Sequence, residues 1–350
     1  MAHHEGRRGS VVRVLMLEWH YSTSPAFEEL LLAPLGGEFD FRVTPWDGDS
    51  LPDVVQEDLD GGVRHFVFCQ MPPPSRFPWT EDSVVTWIPM WDQAISYEHW
   101  WWGSFTKNVR VVALSSPVAS LAMAAGLETL TLRYYPRVPD SSPAGRQERV
   151  LFYWNRRGLI SERLLARLCD ALEVQRVVFQ RNPDPGAEAA ADYVPSASFP
   201  VPVEVIDGNL PREVFQAQLD SCSIFIAPRA LEGVGVAPLE AMARGCVVVA
   251  LDAPTMNEYI TDGVNGILLR PAGLRDSAAR IARRGRYRPG ASDFQKFGRL
   301  ARSSLPEMGQ SARQSVVEGR ARWLDALPDY ANFIKGVTSG DLGTNPHPGR

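Results

Sequence analysis

Residues 231–240 read L-E-G-V-G-V-A-P-L-E, and their types and spacing suit the binding of a phosphorylated sugar. Two carboxylates, Glu232 and Glu240, flank a turn whose two glycines let the backbone approach a ligand closely. Pro238 is predicted at the first helical position, where its missing N–H costs nothing. Glu240 would then lie in the first helical turn, beside free N–H groups and the positive end of the helix dipole. Free N–H groups suit a phosphate and carboxylates suit sugar hydroxyls, so the stretch predicts a nucleotide-sugar site.

The same stretch resembles the Glu-x7-Glu signature of retaining glycosyltransferases of the GT-B fold, family 4. Its continuation over residues 252–269, D-A-P-T-M-N-E-Y-I-T-D-G-V-N-G-I-L-L, looks like that family's next strand, loop and hairpin. The likeness extends over roughly Arg149 to Leu269 and is strongest from Cys222 onward. It implies an α/β protein of the GT-B class, with two doubly wound Rossmann-like domains facing a cleft. It also implies sugar transfer from a nucleoside diphosphate sugar to an acceptor hydroxyl with retention of configuration.

The resemblance assigns the donor residues of the second domain. Glu232 would contact the donor sugar or support the developing oxocarbenium charge, and Glu240 would bind the ribose hydroxyls. A carboxylate that serves only the helix dipole explains Glu240 but not Glu232 and the glycine pair as well. The further donor-binding candidates are the turn residues Gly233, Val234, Gly235 and Val236 at the distal phosphate, Asp207, Gly208 and Asn209 at the base, and Asn257 and Glu258 at the edge of the pocket. The last two groups are equally compatible with an ordinary turn and a helix start.

Two adjacent arginines, Arg156 and Arg157, follow the first predicted strand of the second domain. Guanidinium groups bind phosphate through two parallel hydrogen bonds, so either arginine could neutralise the diphosphate. The resembling family has basic residues near this place, but the two neighbours here leave open which one points inward. The alternative interpretation is a solvated turn with surface arginines.

The acceptor side is less specific in its pattern. Asp92 is the first candidate for a catalytic polar group and His20 the second, although a lone Asp or His in a loop is more often structural. Trp19 and Trp91, at predicted strand ends, could offer flat faces to an acceptor, whereas the other tryptophans of the first domain are expected to fill its core.

Composition excludes several other classes of protein. The chain has 350 residues, a net charge of −5 and no basic excess that would favour nucleic acid. No apolar run reaches the ~20 residues that span a bilayer, and the four cysteines are dispersed, which predicts a cytoplasmic protein without disulfides. The donor domain has no Asp-x-Asp, so we expect no metal or other cofactor beyond the nucleoside diphosphate sugar itself. The basic stretch 280–288 is expected to be a solvated helix face, with contact to an anionic membrane as the alternative, and the oligomeric state is left open.

Strands that alternate with helices predict two domains, each with a parallel sheet covered on both faces. The predicted strands are Val11–Leu17, Phe39–Thr44, His65–Gln70, Val84–Ile88, Val109–Leu114, Val150–Trp154, Val174–Gln180, Val201–Ile206, Ser223–Ala227, Val247–Leu251 and Gly266–Leu269. The predicted helices include Phe27–Leu35, Ala94–Trp102, Val118–Ala125, Ser161–Leu172, Pro211–Leu219, Asn257–Thr261 and Ala321–Ile334. The predicted domains are a disordered leader (1–10), an acceptor-binding domain (11–138), a linker (139–148, within the Pro- and Ser-rich stretch 136–148), a donor-binding domain (149–320), a terminal helix (about 321–335) that returns to the first domain as in the resembling family, and a disordered tail (336–350).

Two alternatives to a glycosyltransferase stay open. The first strand lacks the glycine pair of the resembling family, which is compatible with a non-catalytic nucleotide-sugar-binding or assembly subunit. A sugar-nucleotide epimerase on the same fold is the other. Transfer or slow donor hydrolysis by the purified protein would separate the first alternative, and an isomeric nucleotide sugar as product the second.

Overall fold

The computed structural model of the chain describes residues 10–18, 27–28, 32–48, 50–74, 79–105, 108–140, 148–270 and 305–337. The chain divides into two compact units, one of residues up to Tyr134 together with those from Arg322, the other from Tyr135 to Ala321. Most of the predicted leader and tail lies outside the described residues. Their inner limits are wrong, because Ser10 begins the first strand and Val337 hydrogen-bonds to the carbonyl of Asn332.

The first unit contains a parallel sheet of six strands in the order β2-β1-β3-β4-β5-β6. Its three strands from His65 to Ala113 are rich in valine and other apolar residues and are almost entirely buried, as the continuous apolar runs predict. The bounds are β1 Ser10–Met16, β2 Phe39–Pro45, β3 His65–Cys69, β4 Val84–Ile88, β5 Val109–Ala113 and β6 Glu128–Thr131. The helices are α1 Asp53–Asp60, α2 Trp91–Ala94, α3 His99–Trp102 and α4 Ser116–Ala124, with a 3-10 turn at Ala33–Leu35.

Aromatic side chains fill the core of this unit. Trp87 is fully buried, and its ring lies 5.0 Å from that of Trp102 and 5.8 Å from that of Trp101. Trp46 meets Phe68 edge to face at 5.3 Å. The interpretation of most tryptophans as core residues therefore fits their positions.

The second unit contains a parallel sheet in the order β12-β11-β10-β7-β8-β9. The chain starts at the centre with β7, runs outward to β9, and returns to the other side of β7 at β10, which is the doubly wound Rossmann order. The strands are β7 Val150–Asn155, β8 Arg176–Arg181, β9 Val203–Asp207, β10 Ile224–Ile226, β11 Val247–Leu251 and β12 Ile267–Leu269. The helices are α5 Glu162–Ala171, α6 Glu188–Ala191, α7 Arg212–Ser221, α8 Val236–Ala243 and α9 Leu305–Asp325, with a 3-10 turn at Met256–Glu258; α9 ends beyond the boundary of the unit.

The final helix, α10 (Leu327–Ile334), belongs to the first unit. Its last carbonyls are bound by two side chains of the sheet: Arg110 donates to the carbonyl of Phe333 at 2.6 Å, and the ring of His65 lies 3.1 Å from that of Ile334. Cationic or N–H donors at a helix C-terminus satisfy its free carbonyl groups. The predicted helix 321–334 is in fact two helices, because Pro328 cannot continue the hydrogen-bond ladder of α9.

Other element predictions need correction. The predicted helix over 94–102 is the two short helices α2 and α3, and the structure adds α1 and β6, which the pattern did not predict. The predicted helix over 257–261 is the short 3-10 turn that ends at Glu258. Of the predicted helix over 27–35, the part outside the described residues is not assessed, and its end is a 3-10 turn. Within the described ranges, no helix is both long and apolar enough to cross a membrane.

Candidate nucleotide-sugar site

The candidate site lies where the strand order of the second unit reverses, between β7 and β10. In doubly wound sheets, ligands bind beyond the carboxyl ends of the strands at this switch point. Arg156 follows β7 directly, and the turn with Glu232 follows β10. The topology therefore brings the two separate motifs of the sequence to one end of one sheet.

The glycine turn starts α8 two residues earlier than predicted. Gly235 is the N-cap, with φ +76°, and the first helical hydrogen bond runs from Leu239 N to the carbonyl of Gly235 at 3.0 Å. The prediction that Pro238 is the first helical residue is wrong: it is the third, where an N–H would still have no helical partner. Glu240 consequently lies beyond the first turn and gains less from the helix dipole than predicted.

The backbone ahead of α8 is held by the segment after β11. The buried hydroxyl of Thr255 donates to the carbonyl of Glu232 at 2.7 Å and lies 3.2 Å from that of Gly233. Met256 packs under Gly235, where a Cβ would come within 2.6 Å of its sulfur. Gly235 is thus required both for its left-handed conformation and for the space beneath it.

The loop after β7 is fixed by Asn155, which is fully buried. Its side chain accepts a hydrogen bond from Gly158 N at 3.0 Å and donates to the carbonyl of Ala191 at 2.9 Å. These bonds hold the intervening arginines in a tight turn. Arg156 is the inner one, with 12% of its side chain exposed, and Arg157 the outer one, with 44% exposed.

Three guanidinium groups meet one buried aspartate at this position. Asp184, which follows β8, pairs with Arg156 at 2.5 Å, with Arg157 at 2.7 Å and with Arg229 at 2.7 and 2.8 Å. Although burial opposes the charged form, hydrogen bonds and charge from Arg229, supported by the other two arginines, lower the pKa of Asp184 to about 2. Burial and the neighbouring Arg229 lower the pKa of Arg156 to about 10, which leaves it charged at neutral pH.

Each motif glutamate has an arginine beside it. Glu232 is 5% exposed, and its carboxylate lies 3.9 Å from the guanidinium of Arg229. Glu240 is 6% exposed and accepts a hydrogen bond at 2.9 Å from Arg212, the first residue of α7. Each carboxylate therefore places acceptor oxygens beside an arginine, and hydroxyl groups of a sugar can donate to such oxygens.

The candidate base residues follow β9. Asp207 pairs with Arg181 at 2.7 Å, Gly208 has φ +80°, and Asn209 accepts a hydrogen bond from Asn182. A cavity of about 440 Å³ opens at this place; its lining is Arg181, Asn182, Pro183, Glu188, Ala189, Ala191, Asp192 and Gly208. Asp207 and Asn209 are therefore held by side chains of the β8 end, and Gly208 alone of the three lines the cavity.

Asn257 and Glu258 lie in the 3-10 turn beyond β11. Asn257 is exposed and donates to Asp252 at 3.2 Å, and Glu258 is half-buried. A direct orienting role of either side chain toward Glu232 stays a prediction.

The acceptor candidates belong to the first unit. Trp19 and His20 lie outside the described residues. Asp92 accepts a hydrogen bond from the backbone of Gln93 at 3.1 Å at the start of α2, and Trp91 packs against the aromatic core. These contacts are those of a short helix start and a core residue, and no acceptor role follows from them.

Sequence reasoning missed four residues of the site: Asp184, Arg212, Arg229 and Thr255. Asp184 stands between two prolines and reads as a turn, and Arg212 follows a proline at a helix start. Arg229 lies three residues before Glu232, a spacing that could have drawn attention to it. Among the described residues, no group of three or more His, Cys, Asp or Glu side chains could hold a metal ion.

Comparison with known proteins agrees with the geometry. Residues 205–296 match the family model described as glycosyl transferases group 1. Over 106 residues the chain is 31% identical to the lipopolysaccharide core biosynthesis mannosyltransferase LpsB of Rhizobium meliloti, an overlap of 30% of this chain and 28% of that protein. The chain thus matches less than a third of that relative's length.

The solved structures that resemble the chain cover between 76% and 94% of it. Sucrose-phosphate synthase of Thermosynechococcus elongatus has a TM-score of 0.61 at 10% identity, covering 94% of this chain and 100% of that one. HepE of Anabaena, solved with UDP and glucose, has a TM-score of 0.58 at 12% identity, covering 91% and 100%. TarM of S. aureus, solved with UDP among its ligands, has a TM-score of 0.53 at 14% identity, covering 76% of this chain and 55% of that one. The predicted α/β class with two doubly wound Rossmann-like units is confirmed, and the fold is GT-B.

Proposed function

We propose that the protein is a glycosyltransferase that takes a sugar from a nucleoside diphosphate sugar held by the second unit and passes it to an acceptor hydroxyl. The arginine cluster around Asp184, next to the glycine turn at the switch point, is the observation that carries this proposal. Among the described residues, three guanidinium groups, two of them mostly buried, meet the two carboxylates of Asp184 and Glu232, an excess of one positive charge. A diphosphate is an anion that guanidinium groups arranged in this way can bind. The family match over residues 205–296 and the UDP complexes of HepE and TarM support this ligand class.

In the proposed binding mode, the diphosphate lies against Arg156 and the amide groups at the start of α8. The N–H groups of Val236 and Ala237 precede the first helical hydrogen bond, so both can donate to a phosphate. Glu240 binds the ribose hydroxyls and Glu232 the hydroxyls of the sugar, since both carboxylates are buried and charge-paired. The base lies near Gly208 and the adjacent cavity.

The proposed reaction proceeds with retention and without a metal ion. The bond between the sugar and the diphosphate loosens first, and the arginines and helix N–H groups take up the charge of the leaving group. The acceptor oxygen then attacks the same face of the sugar, and its proton passes to the departing phosphate oxygen. Glu232 supports the positive charge that develops on the sugar. No covalent bond between sugar and protein forms.

A thermal-shift screen against UDP-, GDP-, ADP- and dTDP-sugars tests the binding step. A ligand at a hundred times its Kd stabilises the folded chain by about 2.7 kcal/mol, so a true donor gives a clear shift. NMR of the product with an added acceptor then reads the anomeric configuration, and chelator should leave the rate unchanged. Inversion would refute retention, and inhibition by chelator would refute metal independence. Binding without hydrolysis or transfer would favour a non-catalytic nucleotide-sugar subunit instead.

A further inference from the structure

Asp184 is the common partner of arginines that come from two different strand ends. Arg156 and Arg157 follow β7, Arg229 follows β10, and Asp184 itself follows β8. Its side chain is 3% exposed. Because so little of it reaches the surface, Asp184 acts on a ligand through the arginines it holds.

The hydrogen bonds divide between the two oxygens of the carboxylate. Arg229 binds both in the forked geometry, with Nη2 at 2.7 Å from Oδ1 and Nε at 2.8 Å from Oδ2. Arg156 takes Oδ1 at 2.5 Å and Arg157 takes Oδ2 at 2.7 Å. Forked pairs fix the plane of a guanidinium as well as its distance, so the carboxylate sets the direction of Arg229.

Two further contacts limit the freedom of the cluster. The guanidinium of Arg156 lies 4.6 Å above the ring of Trp154, and this cation–π contact restrains the face of the guanidinium as Asp184 restrains its edge. The remaining nitrogen of Arg229, Nη1, lies 3.9 Å from Glu232. Arg229 thus joins the arginine cluster to the carboxylate that faces the sugar in the proposed function.

We propose that Asp184 is a positioning residue that orients Arg156 and Arg229 for the diphosphate, and that Arg229 carries this orientation to Glu232. This inference rests on the proposed function. It adds two residues that neither the Glu-x7-Glu spacing nor the loop after β7 contains.

Charge alone and positioning predict opposite effects when Asp184 is made neutral. Asp184→Asn removes a negative charge beside an anion site, so a purely electrostatic role predicts tighter binding of an anion. The side-chain amide of the new asparagine also has an NH2 group, which cannot accept a hydrogen bond from an arginine as the carboxylate oxygen did. The three arginines, which repel one another, then lose the group that holds them together. Positioning therefore predicts weaker binding although the cluster becomes more positive.

The test measures binding of inorganic pyrophosphate by calorimetry to the full chain and to four variants of it. We expect Asp184→Asn to weaken binding by about tenfold or more. Arg229→Lys keeps the charge but loses the fork, and it should weaken binding similarly. The double variant should lose less than the product of the two single effects, because both changes act on one unit. Asp220→Asn is the matched control: Asp220 pairs with Arg244 at 3.0 Å at the far end of α7, and its change should leave affinity unaltered.

Each variant is melted first, so that affinity is compared between folded proteins. If Asp184→Asn does not fold, the affinity of Arg229→Lys for pyrophosphate alone tests the positioning role. Unchanged or tighter binding in the folded variants, or losses that multiply fully in the double variant, would overturn the positioning role while leaving the proposed function intact. Failure of the wild-type protein to bind pyrophosphate and all four classes of donor would overturn both.

Discussion

Gly235 offers the sharpest test of how the glycine turn is built. Replacing it with alanine has two separate costs that the structure allows to be estimated. At φ +76° an L-residue is strained by about 1–2 kcal/mol. The new Cβ would lie 2.6 Å from the sulfur of Met256, which is buried. Overpacking costs about 1–3 kcal/mol, and we take the low end because methionine is flexible. Gly235→Ala should therefore destabilise the second unit by about 2–3 kcal/mol.

Gly263 supplies the matched control for the backbone term. It has the same φ of +76°, and a Cβ there would meet nothing within 4 Å. Gly263→Ala should consequently cost only the strain, about 1–2 kcal/mol. In a Met256→Ala background the steric part disappears, so the cost of Gly235→Ala should fall to that of Gly263→Ala.

Urea denaturation followed by far-ultraviolet circular dichroism measures these differences. Tryptophan fluorescence would report mainly on the first unit, because Trp154 is the only tryptophan in the described part of the second unit. Binding of pyrophosphate should weaken in Gly235→Ala and not in Gly263→Ala, because only the first change moves the amide groups at the start of α8. Equal destabilisation by the two substitutions, with no effect of Met256→Ala, would refute the reasoning about the space under the turn.

Three further outcomes follow from the structure. Glu240→Ala should weaken donor binding, whereas Glu232→Ala should lower turnover more than affinity; unchanged donor affinity in the first variant, by calorimetry, would contradict the ribose assignment. Burial lowers the pKa of His65, although the hydrogen bond to the carbonyl of Ile334 acts in the opposite direction. As the pH falls below about 6.5, the histidine is therefore protonated more readily in the unfolded chain than in the folded one, and the folded state loses stability. His65→Gln should therefore show a smaller loss of urea midpoint between pH 7.5 and pH 5 than the wild type, and an equal loss would argue against this. Gly309→Ala would place a Cβ against the backbone carbonyl of Gly245, which cannot move aside as a side chain can, and should lower the stability of the second unit by about 1–3 kcal/mol in the same assay.

The sheets could be predicted from the sequence because their strands are continuous apolar runs. Val84–Ile88 and Val247–Leu251 have the predicted bounds, and Ser161 caps α5 as predicted, with its hydroxyl accepting from Leu164 N. Short elements were missed for the opposite reason. Thr129 and its neighbours in β6 are half exposed, so no apolar run marks this strand.

The start of α8 shows where the motif itself misled. Proline is compatible with any of the first helical positions that lack an intrahelical hydrogen bond, so Pro238 alone does not define the first one. The conformation of Gly235 decides it, and a left-handed glycine is indistinguishable in sequence from any other glycine in a turn. The order of elements was thus predictable and the register of the helix was not.

The charge of the site depends on contacts that no local pattern contains. Asp184 is 27 residues from Arg157 and 45 from Arg229, and only the strand order places them together. The sequence shows two adjacent arginines and a separate glycine turn, each of which indicates an anion site. The folded chain adds a third arginine and a shared carboxylate, and the carboxylate fixes the direction in which the guanidinium groups point.

A fixed cluster of this kind bears on rate as well as affinity. The diphosphate gains negative charge as its bond to the sugar breaks, so arginines already aimed at it stabilise the transition state more than the bound donor. Arginines that were free to reorient would lose conformational entropy when they became ordered during the reaction, and this loss would offset part of that stabilisation. If Asp184 supplies the order in advance, its removal should lower turnover by a larger factor than it lowers affinity for the intact donor. Equal losses in the two quantities would mean that the cluster binds the diphosphate without favouring its departure.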